Sequence, residues 1–385
     1  MDDERDFTAI SKNNKSFLQE RPKTAAEIVE FLEHGAMYRD FAYFLSELYE
    51  GEDVQARLRR GFCEITGDPD EKVRKNVQNW MKGRSLPQNR ETLFQICFIL
   101  GFEEEKSSRL LGVFSENRIH YRDPEELAYA FALRTGRPYR DAVRLKEEAL
   151  RIYEETCGRQ REAREQIETL RRAGAAGEDP LLYTGRNREL FEAVQTEEAF
   201  YAFIRQNSVY LGRLHETAYV KFMQLLNLLQ KPEETKYSMK QVAEDYFRMH
   251  VPETTRTGGM SAVQKLIKKC WPGETMLDKM KTRELDVSRK TLILLYLITG
   301  AFDEEVVDEE AYYYCDEEYT PDELFQIRCD QMDLFLKQYG MGTLDYGNPF
   351  DLIVLYALHP TFSGQEEEFA SERIERVLEI LYRGL

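Results

Sequence analysis

Glycine and proline are scarce in this sequence, at 22 and 12 of 385 residues. Long alternating runs of Val, Ile and Thr, the usual mark of strands, are missing as well. Hydrophobic residues at 42% and aromatics at 12% are enough to bury cores, so the chain reads as globular rather than disordered. Leu, Glu, Lys and Arg recur at helical spacing, and the expected fold class is all-α. The length allows two or three domains.

Signatures of chemistry are missing too. There is no P-loop, no GxGxxG after a strand pattern and no GxSxG elbow. The five histidines (His34, His120, His215, His250 and His359) show no HExxH or other ligand spacing. The six cysteines (Cys63, Cys97, Cys157, Cys270, Cys315 and Cys329) form no CxxC pair. They fit free thiols in a reducing compartment. The expectation is a non-enzyme with no catalytic residues, no metal and no cofactor. MDDERDFTAISKNNKSFLQE places acids where a signal peptide needs bases. No apolar run approaches the roughly 18 residues of a membrane span. A cytoplasmic protein with no membrane partner is expected.

The chain divides on paper into a polar segment 1–25, a helical domain 26–138, a helical middle segment 139–257 and a last helical domain 258–385. AGAAGEDPLLYTGRN, 173–187, reads as a linker and HVPETTRTGGMS, 250–261, as a break. An internal repeat links the two ends. MKGRSLPQNRETLFQICFILG, 81–101, aligns with MKTRELDVSRKTLILLYLITG, 280–300, with nine of 21 positions identical. Further on, DPEELAYAFAL, 123–133, aligns with NPFDLIVLYAL, 348–358. The offset grows from 199 to 225 because the second copy carries an insertion. That insertion, 301–324, has eleven acids and no bases, with Tyr312, Tyr313, Tyr314 and Tyr319 among them. It reads either as a solvated loop or as a surface for a protein partner.

The formal charge is −17, yet Lys72 to Arg90 holds six bases and no acid. Helix, turn and helix precede the pattern W-x-x-G-x-x-x-P (Trp80, Gly83, Pro87), and a capped apolar helix follows it. This resembles the Cro/phage-repressor (XRE) type of helix-turn-helix domain over roughly 38–112, with a degenerate second copy downstream. The resemblance implies two repressor-like units flanking the helical middle, and a cytoplasmic, bacterial or phage-related regulator of transcription. Lys72, Arg74, Lys75, Asn76, Gln78 and Asn79 would then meet base edges of double-stranded DNA, since Asn and Gln suit adenine and Arg suits guanine. Lys82, Arg84 and Arg90 would lie near phosphates. Lys279, Lys281, Arg283 and Arg289 would form a second basic face. A homodimer or another protein partner fits the same resemblance. Two departures stand against it. The helix VQARLRRGFCEITG is long, and ITGDPDE replaces the tight turn, placing Asp68, Asp70 and Glu71 beside the reading face. The competing reading is a non-catalytic interaction scaffold whose bases pair with its own acids.

Overall fold

The computed structural model describes residues 9–38, 40–87, 89–115, 117–159, 188–208, 210–212, 214–229, 238–252, 259–302, 320–360, 362–363 and 366–384. The linker 173–187 and the four tyrosines of the insertion lie outside the described residues. The fold is all-α. Among the described residues, strand structure is limited to a two-residue antiparallel pair, Phe362–Ser363 with Glu366–Glu367, and one isolated bridge. Among them too, no helix is long and apolar enough to cross a membrane.

The chain forms two compact units. The first comprises Asp40–Thr217 with Gln338–Gly342; the second comprises Met1–Arg39, Ala218–Lys337 and Thr343–Leu385. The expected middle segment 139–257 is therefore not a body of its own. Its first part joins the first unit and its last part the second. The physical reason is the apolar faces. Ala142, Leu145, Ala149 and Ile152 of the long helix Tyr139–Arg159 are buried in the core that also holds Phe94 and Phe131.

In the first unit the chain runs α1 (Phe41–Leu48), α2 (Val54–Thr66), α3 (Asp70–Met81), α4 (Arg90–Leu100), α5 (Glu104–Ser115), α6 (Pro124–Arg134), α7 (Tyr139–Arg159) and α8 (Glu197–Asn207). The helix starts are set by short polar side chains that satisfy first-turn amides. Asp53 accepts from Ala56 N, Asn89 from Thr92 N and Asp123 from Glu125 N. α2 and α4 end on Gly67 (φ 68°) and Gly101 (φ 69°), a left-handed conformation that costs glycine nothing. Gly61 lets α2 lie close on α4, since a Cβ there would stand 2.4 Å from Ile99 Cγ2. α4 and α6 are the apolar centre, with Leu93, Phe94, Ile96 and Cys97 of one and Leu127 to Leu133 of the other buried.

The second unit contains α9 (Ala262–Cys270), α10 (Glu274–Lys281), α11 (Arg289–Ile298), α12 (Pro321–Gln338), α13 (Pro349–Leu358) and α14 (Ala370–Leu381), with N-terminal and middle helices packed among them. α11 and α13 are its apolar centre, with Leu292 to Leu297 and Phe350 to Leu358 buried.

One polar device appears in both units. Arg90 is the first residue of α4, where a cation opposes the helix dipole. Its Nε and Nη2 donate to the two carboxylate oxygens of Glu126 at 2.6 and 2.7 Å. Nη2 also reaches Arg118 O at 2.9 Å, and Glu126 Oε2 accepts from His120 N at 2.7 Å. Arg289 is the first residue of α11. Its Nη1 and Nη2 donate to Asp351 at 2.8 and 2.9 Å, Nη2 reaches Thr343 O at 3.0 Å, and Asp351 Oδ2 accepts from Asp345 N at 2.8 Å. Residues 118, 120 and 126 correspond to 343, 345 and 351 at one offset of 225, and Arg90 to Arg289 at 199. A further bond follows the same offset. Ser108 Oγ accepts from Ile119 N, and Asp333 Oδ1 from Leu344 N.

The first unit also buries an unusual histidine. His120 is 4% exposed, stacks on His215 with ring centroids 3.7 Å apart, and leaves Nε2 without a hydrogen-bond partner among the described residues. Burial first, then the charges of His215, Arg122 and Arg90, hold His120 well below the ordinary histidine value. The unfolded chain takes up a proton near pH 6.5 that the folded chain refuses. Stability is therefore expected to fall as pH drops below about 6.5, by up to roughly 1.4 kcal/mol per pH unit from this group. Melting curves between pH 7.5 and 5 should fall less steeply for His120→Phe than for the parent. Equal slopes would rule this source out.

Candidate nucleic-acid interface

α2 and α3 are joined by three residues, Gly67 to Pro69. The departure expected from ITGDPDE is thus absorbed. α2 stops at Thr66, whose Oγ1 accepts from Asp68 N at 3.1 Å, and Gly67 turns the chain. α3 is anchored by one stripe, with Val73 and Val77 buried and Trp80 half-buried. The Trp80 ring meets Phe62 of α2 at 5.5 Å and Phe41 of α1 at 6.5 Å, both edge-on. Three helices are fixed on one indole, which sets the direction in which the opposite face of α3 looks.

That face carries the expected residues. Lys72, Arg74, Lys75 and Asn76 are exposed, Gln78 and Asn79 half-buried, and Lys82 and Arg84 exposed beyond the helix end. Lys75, Gln78 and Lys82 follow helical spacing along one line. The chain turns after Lys82 through Gly83 (φ 65°), and Arg84 N donates to Asn79 O at 2.9 Å. The three acids beside the face are mostly engaged. Asp70 pairs with Arg59 of α2, which holds its carboxyl below the usual range, and Asp68 takes Lys72 at 2.9 Å. Glu71 stays exposed. Arg74, Lys75, Lys82 and Arg84 make no ion pair among the described residues.

Arg90 does not belong to this face. Its five N–H groups are spent on Glu126 (twice), Ser115 Oγ at 2.6 Å, Asn117 O at 2.8 Å and Arg118 O. A guanidinium with five donors has none left for a phosphate. Arg289 is excluded by burial, with its side chain 5% exposed and its guanidinium bidentate on Asp351.

The second basic face is weaker than expected. Lys279 is exposed, but Lys281 and Arg283 are half-buried, and the Arg283 guanidinium sits 4.8 Å over the Tyr219 ring. Glu274 and Asp278 are exposed on the same helix. The alignment also slips by one residue there. Amides 83 and 84 donate to carbonyls 80 and 79, while amides 283 and 284 donate to 280 and 279. Buried Met280, not Lys279, occupies the place of Trp80. Arg283 takes the left-handed conformation (φ 64°) that Gly83 takes in the first unit, at a cost of about 1 kcal/mol for a residue with a Cβ.

The carboxylates Glu126 and Asp351 are not among the residues expected from the sequence. Their signal was available: each stands two residues after a Pro that starts a helix, and each has an Arg at the head of the preceding apolar helix. No family model, no curated protein and no solved structure matches the chain.

Proposed function

We propose that the chain is a DNA-binding helix-turn-helix regulator, with α3 as the helix that enters the major groove. What supports this is a set of exposed bases that make no ion pair among the described residues, although the Arg74 charge still reaches Asp70. In a chain with 70 acids and 53 bases, Arg74, Lys75, Lys82 and Arg84 stand exposed without an ion pair among the described residues. Solvated, unpaired cations beside Asn76, Gln78 and Asn79 suit a polyanion whose base edges offer donors and acceptors. Lys72 is tied to Asp68 and contributes less. The scaffold reading required the bases to be neutralised by the rest of the chain.

The shared arginine–carboxylate device supports descent of the two units from one duplicated ancestor. In this reading the second unit keeps the frame and has lost the reading face, because acids share the exposed side of α10 with Lys279, and Lys281 and Arg283 lie partly buried. It serves as a contact module rather than a second reading head. The test is fluorescence anisotropy of the purified chain with a mixed-sequence duplex across a salt series. The two phosphate contacts left to Lys82 and Arg84 give a slope of log K against log salt of about −2. Binding that ignores salt, or no binding near 50 mM salt, would overturn the proposal.

A further inference from the structure

The acids at the start of α3 differ in what holds them. Asp70 is paired with Arg59 and Asp68 with Lys72. The Glu71 side chain is exposed and makes no hydrogen bond or ion pair among the described residues. Its place on the helix is central. Glu71, Lys75, Gln78 and Lys82 recur at i, i+4, i+7 and i+11, a single line along α3. Val73, Val77 and Trp80 form the packed stripe. With 3.6 residues per turn, the line through Glu71 runs opposite that stripe. Glu71 therefore opens the line that points away from the unit's core. Lys75 follows at the spacing where Glu and Lys pair on a helix, yet the two make no ion pair. The helix dipole does not account for Glu71, since Asp70 already puts a carboxylate in the same first turn. On a surface for a polyanion, a central acid repels phosphates and lowers affinity for every duplex.

We infer that Glu71 is a specificity-determining residue that reads cytosine in the major groove, an inference that rests on α3 being the groove helix. Residues in the N-terminal part of such a helix meet base edges, and Glu71 is the second residue of α3. A carboxylate only accepts hydrogen bonds. Cytosine presents an amino donor in the major groove. Guanine O6 and N7 and thymine O4 are acceptors there and repel a carboxylate, and adenine sets the acceptor N7 beside its amino group. Glu71 thus penalises most sequences and relieves the penalty at one, which trades affinity for selectivity. The spacing also sets a register. Lys75 stands about 6 Å further along the axis, and base pairs are about 3.4 Å apart, so the cytosine lies within about two steps of the base pair under Lys75.

The experiment incubates the full chain near 50 mM salt with a duplex pool randomised over its central turn, and sequences the duplexes retained. The parent should enrich a cytosine at one fixed position. Glu71→Gln should replace it with adenine, the base a carboxamide suits, and leave the other positions as they were. Glu71→Ala should lose the preference there and bind unrelated duplexes more tightly than the parent. With single duplexes, exchanging that C·G pair for T·A should weaken the parent between about fivefold and a hundredfold, and Glu71→Ala less than about twofold. Lys75→Ala should relax a position within about two steps of the cytosine. A melting curve of each variant shows that it is folded. Duplex binding by the parent with no enriched cytosine, a cytosine kept by both Glu71 variants, or a Lys75 position a full turn away would overturn the inference and leave the DNA-binding reading standing. A parent that binds no duplex would overturn both.

Discussion

Arg289→Ala is expected to destabilise the second unit by about 3–5 kcal/mol, because it leaves the Asp351 carboxylate buried without its counter-charge. The pair is deeply enclosed, with side chains 5% and 2% exposed. Asp351→Ala should cost a similar amount, since it strands the guanidinium and removes the acceptor for Asp345 N. For a unit of this size the melting temperature should fall by roughly 10 °C or more. The double variant Arg289→Met/Asp351→Leu should recover much of the loss, as it leaves no lone charge and fills the space with apolar atoms. Arg90→Ala should cost less than Arg289→Ala, because Arg90 and Glu126 are 28% and 11% exposed and water can answer what is lost. Melting curves of these variants and of Arg289→Ala/Asp351→Ala, which closes the cycle, check this. Additive effects of Arg289→Ala and Asp351→Ala would show that the bidentate pair does not act as a unit.

Much of this frame is legible in the sequence. Asn89, Asp123 and Asn348 are short polar residues directly before apolar helical patterns, and each accepts a first-turn amide. Val73, Val77 and Trp80 recur at i, i+4 and i+7, a spacing that marks the packed side of α3 and by subtraction the exposed one. What failed was long-range. Arg90 looked like its basic neighbours, because nothing within a few residues shows the carboxylate 36 positions away that claims it. The domain limits failed for the same reason. Segment 139–257 has no composition break where it passes from one unit to the other, because the boundary at Thr217 and Ala218 falls in the first turn of the helix Glu216–Leu228. The one-residue slip between Trp80 and Met280 escaped because nine identities at a constant offset outweighed one loop shortened by a residue. Only backbone bonds around Gly83 and Arg283 reveal it.

Charge reversal on α3 has the other large expected effect. Arg74→Glu/Lys75→Glu should reduce duplex affinity at least about a hundredfold at low salt, each base contact being worth roughly 1–3 kcal/mol and each reversal adding repulsion. Both side chains are exposed and without ion pairs among the described residues. The fold should therefore be nearly indifferent, within about 0.5 kcal/mol. This separates reading from holding. Arg90→Ala should lower the melting temperature and leave affinity close to that of the parent whenever the chain is folded. The decisive measurement is an anisotropy titration of one labelled duplex near 50 mM salt with parent, Arg74→Glu/Lys75→Glu and Arg90→Ala, each with its own melting curve. The account predicts tight binding by the parent, loss in the double variant without loss of stability, and retention in Arg90→Ala. Binding that survives the double reversal, or a parent that does not bind at all, would contradict it.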